Sequence, residues 1–88
     1  MIEREVTVKN RAGLHTRPAA ALVKIAAKYK SEIYLVRDKF PINAKSIIGV
    51  MTLAAEQGCT LKIRADGDDA EMALSELAQL FDDGFGEP

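Results

Sequence analysis

Hydrophobic and polar residues alternate from Ile2 to Lys9, with Ile2, Val6 and Val8 on one side and Glu3, Glu5, Thr7 and Lys9 on the other. This period of two predicts a half-buried strand, with Arg4 the exception on its apolar side. From Thr16 the period becomes helical: Ala19, Leu22, Val23, Ala26 and Ala27 form the stripe, and Pro18 suits a first turn, where its missing N–H costs nothing. Residues 32–37 and 40–43 read as two short strands joined by Asp38 and Lys39, and Pro41 assigns the second to a sheet edge. Ser46 stands where an N-cap would, ahead of Ile47, Ile48, Met51, Ala54 and Ala55 at helical spacing, with Gly58 as the stop. Gly49 inside that helix costs about 1 kcal/mol relative to alanine.

Alternation returns over Thr60–Ala65, where Leu61, Ile63 and Ala65 point inward. The last helix carries the fullest stripe: Ala70, Ala73, Leu74, Leu77, Ala78 and Phe81, opened by a D-x-x-E capping box of Asp68 and Glu71 and closed near Gly84. The order is strand, helix, strand, strand, helix, strand, helix. It predicts an α+β fold of two layers, a sheet with helices on one face. Periodicity does not fix the strand order, and a ferredoxin-like arrangement satisfies the same elements.

Composition narrows the class. A chain of 88 residues with 48% hydrophobic and 28% charged side chains is expected to form one globular domain, residues 1–88, with a small core and no deep pocket. The lone Cys59 forms no internal disulfide, and the longest uncharged run, Ser46–Ala55, is about half of what a membrane span needs. The start of the chain has no basic, apolar leader, so a cytoplasmic location is expected. Residues 1–50 hold ten bases and four acids, whereas residues 51–88 hold two bases and nine acids. That split predicts a positive face that meets an acidic partner.

The candidate chemistry sits at the start of the first helix, in Gly13-Leu14-His15-Thr16-Arg17-Pro18. Unpaired N–H groups and the helix dipole favour an anion there. Arg17 offers donors matched to phosphate oxygens, and His15 offers a ring nitrogen as nucleophile. Positive surroundings are expected to keep the free ring neutral and then to stabilise an attached phosphoryl group. Without those neighbours, His15 would be only a solvated loop residue. Asp66-Gly67-Asp68-Asp69 lacks the glycine and terminal glutamate spacing of a calcium loop and reads as a turn with a helix cap. Nothing in the sequence calls for a metal or a cofactor.

These residues resemble a known family. Gly13-Leu14-His15-Thr16-Arg17-Pro18-Ala19 is similar to the active-site signature of HPr, the histidine-containing phosphocarrier of the bacterial sugar phosphotransferase system. Asn43-Ala44-Lys45-Ser46-Ile47-Ile48-Gly49-Val50-Met51 resembles that family's regulatory serine motif. The resemblance runs along the whole chain. It implies an open-faced sandwich with an antiparallel sheet ordered first, fourth, second, third. It also implies that His15 accepts a phosphoryl group on Nδ1 from phosphorylated enzyme I and passes it to enzyme IIA proteins. Arg17 would be the charge partner and the backbone amides of Thr16 and Arg17 the phosphate donors, in a carrier without turnover of its own.

The resemblance further makes Ser46 a target of HPr kinase/phosphorylase, although Ile48 stands where methionine is common and Ala54-Ala55 where a glycine often occurs. Phosphorylation there adds about −1.5 to −2 charges and would act by repelling an acidic partner. Ile47, Ile48 and Met51 fit either a core stripe or, as the family's docking surface suggests, an exposed patch rimmed by Ala20, Lys24 and Thr52. Lys24 and Lys45 are expected to flank it. A second reading is a regulatory protein whose Ser46 state governs binding to a kinase or transcriptional regulator. Nucleic-acid binding is a poor third, because the basic half lacks an aromatic cluster or a GxxG loop. A monomer without membrane insertion is expected.

Overall fold

The first, second and fourth strands place buried apolar residues against the helices, and this register decides the architecture. The structure, a computed structural model, describes residues 1–88. Its elements are β1 (Ile2–Thr7), α1 (Thr16–Ala26), β2 (Glu32–Arg37), β3 (Phe40–Asn43), α2 (Ile47–Thr52), β4 (Thr60–Asp66) and α3 (Ala70–Asp82), followed by a 3-10 turn at Gly84–Gly86. The four strands form one antiparallel sheet ordered β1-β4-β2-β3, the order that the family resemblance implied. Val6 faces Leu61, while Ile63 lies between Arg4 and Leu35. These rows meet Leu22, Ala26, Leu74, Leu77 and Phe81 in a single apolar core. On the opposite face Glu3 and Tyr34 flank Arg64, and Glu5 and Val36 flank Lys62. The result is an open-faced two-layer α+β sandwich. No helix is long and apolar enough to cross a membrane.

Most elements fall where the periodicity placed them, and the departures have local causes. The α1 stripe ends at Ala26, and Ala27 is exposed. Ser46 caps α2 as expected, its Oγ accepting the Gly49 N–H at 3.2 Å. That helix, however, stops at Thr52 and not near Gly58. The Arg37 guanidinium reaches across from β2 and donates to the carbonyls of Leu53 (2.7 Å) and Ala54 (3.3 Å), satisfying groups that a further turn would have used. Ala54 then takes a left-handed conformation, φ 48°. Gly49 is required by space, because a Cβ there would stand 2.8 Å from Cγ2 of Ile42.

The capping box at the last helix does not form. Asp69, not Asp68, is the cap residue of α3, and its side chain caps nothing in its own helix. Its carboxylate instead accepts from the N–H groups of Lys30 (2.9 Å) and Ser31 (3.0 Å) and from the Ser31 hydroxyl, tying the start of α3 to the chain entering β2. The Ser31 hydroxyl and the two N–H donors hold the Asp69 carboxyl down to about 2.

Candidate functional site

The loop from Asn10 to His15 is shaped by one glycine. Gly13 has φ +74°, and a Cβ on it would stand 2.5 Å from the carbonyl oxygen of Ala55. That same oxygen accepts the Leu14 N–H at 2.8 Å, and Leu14 is buried in the core. The Gly13 carbonyl accepts the His15 N–H at 3.0 Å and the side-chain amide of buried Asn10 at 2.8 Å. His15 therefore becomes the extended N-cap residue of α1, with its side chain free of any capping bond.

Helix α1 starts with no acidic residue in its first turn. The N–H groups of Thr16 and Arg17 have no acceptor in the chain; the first N–H in the helix that does is that of Ala19, bonded to His15 O at 3.0 Å. Pro18 removes the donor between them. Two unsatisfied N–H groups at the positive end of an 11-residue helix lie beside the imidazole, where they favour an anion. Arg17 is exposed and makes no ion pair, which leaves its guanidinium free. The surrounding recess is open, about 370 Å³, and lined by Arg11, Ala12, His15, Arg17, Gly86, Glu87 and Pro88.

The ring is not surrounded by positive groups alone. Glu87 Oε1 lies 3.0 Å from His15 Nε2, so an acid from the negative half of the sequence enters the site. Nδ1 makes no bond within the protein. The Glu87 carboxyl is held below its usual range, first by the hydrogen bond from His15 and then by Asn10 and the nearby charges of His15 and Arg17, against partial desolvation. Arg11, Asn10 and Glu87 were not candidates from sequence. Arg11 and Asn10 adjoin the motif, but Glu87 is 72 positions from His15 and nothing local points to it.

The second motif lies outside this recess. Ser46 is half-buried at the start of α2, while Ile47, Ile48 and Met51 are all exposed, Ile48 at 74%. Only Val50 sends this helix's apolar surface fully inward. Ala20, Lys24 and Thr52 are exposed as well, and α1 packs against α2. Lys45 departs from expectation: its Nζ donates to the Tyr29 carbonyl at 2.7 Å, so it braces the end of α1 and does not stand free beside the patch.

Residues 2–83 match the family model for the PTS HPr component phosphorylation site. The chain belongs to the HPr family. Among HPr relatives it is 47% identical to the phosphocarrier protein HPr of Treponema pallidum, over 99% of this chain and 99% of that one. The crystal structure of HPr-C-His from Thermoanaerobacter tengcongensis superposes with a TM-score of 0.95 at 44% identity, covering 100% of this chain and 99% of that one. The HPr-like protein Crh of Halalkalibacterium halodurans is 42% identical over 88% of this chain and 92% of its own length. HPr is the phosphocarrier of the phosphotransferase system, and an exposed histidine beside an empty-handed helix start suits that class of chemistry.

Proposed function

We propose that residues 1–88 act as one domain that accepts a phosphoryl group on Nδ1 of His15 from phosphorylated enzyme I and delivers it to enzyme IIA proteins of the phosphotransferase system. The observation that carries this reading is the pair of unengaged N–H groups of Thr16 and Arg17 beside a ring whose Nε2 is occupied and whose Nδ1 is open. Nδ1 attacks phosphorus, and the transferred oxygens gain the two amides and the Arg17 guanidinium as partners. The shallow recess supports a carrier with no turnover of its own, because an open histidine can enter the active sites of larger proteins. Ile47, Ile48 and Met51, rimmed by Ala20, Lys24 and Thr52, supply the apolar centre and polar edge of a docking surface.

Incubation with phosphoenolpyruvate and enzyme I should add one acid-labile phosphoryl group, and His15→Ala should add none. An acid-stable product, or an equal yield from His15→Ala, would remove this reading.

Regulation at Ser46 is the second part of the proposal. The hydroxyl accepts from Gly49 N–H and retains its own proton, next to the exposed patch. A phosphate there, placed by an HPr kinase/phosphorylase, would put negative charge beside the docking surface and change its choice of partner, including a transcriptional regulator. Ser46→Asp should weaken binding to enzyme I; unchanged affinity for enzyme I and for enzyme IIA would exclude this control.

A further inference from the structure

Glu87 reaches His15 on a short strap built for that purpose by its backbone. After α3 three consecutive residues take left-handed conformations, Gly84 (φ 61°), Phe85 (57°) and Gly86 (73°), and the chain turns back on itself. Phe85 is anchored edge-on against Phe81, with ring centroids 4.9 Å apart. The Arg11 N–H donates to the Pro88 carbonyl at 2.8 Å, fixing the strap beyond Glu87. The Glu87 side chain is only 14% exposed, and its Oε1 takes the Asn10 amide and faces His15 Nε2, both at 3.0 Å.

An ionised carboxylate only accepts hydrogen bonds, so the ring nitrogen facing it must carry a proton. A neutral imidazole protonated at Nε2 has its lone pair at Nδ1. We propose that Glu87 is a positioning residue that fixes this tautomer and so selects Nδ1 as the nitrogen that receives phosphorus. The Nδ1 lone pair forms the N–P bond while the donor's bond to phosphorus breaks and its electron pair leaves with the donor. The ring becomes cationic with Nε2 still protonated, and Glu87 neutralises that charge where it appears. No proton has to leave the ring during transfer.

This inference rests on His15 being the phosphoryl acceptor, so its test uses a small donor that needs no enzyme I. Phosphoramidate phosphorylates imidazole directly: its P–N bond breaks and ammonia leaves as the new N–P bond forms. On the full 15N-labelled chain, 1H–15N spectra distinguish Nδ1-phosphohistidine from the Nε2 isomer. The native protein should give the Nδ1 product in about tenfold excess. In Glu87→Ala that excess should fall several-fold, because Nε2 is uncovered. An unchanged ratio overturns the proposal. Glu87→Leu keeps bulk at the strap but offers Nε2 no acceptor, so it should show the same fall and decides the matter if the alanine variant does not fold. Absence of transfer from phosphorylated enzyme I, with the nitrogen preference intact, would strike the carrier reading and leave the role of Glu87 standing.

Discussion

Gly13 and Ala55 touch so closely that the carbonyl oxygen of Ala55 occupies the space of any side chain at position 13. The contact joins the loop that presents His15 to the segment that follows α2, and the 2.8 Å bond from Leu14 N–H to the same oxygen holds the two together. Gly13→Ala should therefore cost about 2 kcal/mol, since the left-handed backbone is unfavourable for alanine and the oxygen must move. Urea denaturation would measure the loss, and the rate of phosphorylation by enzyme I should fall with it. Native stability in the variant would contradict this packing.

Ala54 is the opposite case, a non-glycine residue at φ 48°. Left-handed backbone costs alanine about 1–2 kcal/mol, and glycine gives back part of that gain through its freer unfolded chain. Ala54→Gly should raise stability by about 0.5–1 kcal/mol in urea titration. A loss of stability would show that the turn after α2 is not strained.

Asp69 should govern part of the acid transition. Its folded carboxyl titrates at about 2, below the ordinary 3.8, because the Ser31 hydroxyl and the N–H groups of Lys30 and Ser31 favour the ionised form. A depressed carboxyl contributes stability above the unfolded value and loses it as pH falls through the folded one. Stability conferred by Asp69 should thus decline between about pH 4 and pH 2. Asp69→Asn should be less stable at neutral pH and show a shallower decline over that interval; parallel stability curves would refute the assignment.

Lys24 is exposed and unpaired on the rim of the apolar patch, as Arg17 is beside the histidine, whereas Lys28 is engaged with Glu76 at 2.8 Å, Lys9 with Asp82 at 3.5 Å, and Lys45 with the Tyr29 carbonyl. Lying beside Ile47, Ile48 and Met51, Lys24 should take part in charge steering to that patch. Lys24→Ala should slow association with enzyme I several-fold at low salt, and Lys62→Ala, on the open sheet face, should not. Stopped-flow measurement of both separates the two, and equal effects would contradict the docking surface.

Periodicity located the elements that have one buried face, as Leu61, Ile63 and Ala65 or Leu74, Leu77 and Phe81 illustrate, while β3, with only Ile42 half-buried, was marked by the Asp38-Lys39 turn and Pro41. It misjudged places where a distant group intervened. Arg37 ended α2 early, and Ser31 drew the Asp69 carboxylate away from its own helix. The strand order was legible only through the family motifs, since alternation carries no information about neighbours. At the site, Gly13, His15, Thr16 and Arg17 lie within five consecutive positions and were visible together. Glu87 was not, because the acidic half of the sequence offered no reason for one of its members to cross to His15.

The most direct test places the phosphoryl group itself. The 15N-labelled chain, phosphorylated by enzyme I and phosphoenolpyruvate, should show in its 1H–15N spectra a single modified residue, His15, bonded to phosphorus through Nδ1, with the amide signals of Thr16 and Arg17 moving as they take up the phosphate oxygens. Phosphorus at another residue, or at Nε2 of His15, or unmoved Thr16 and Arg17 amides, would contradict the account.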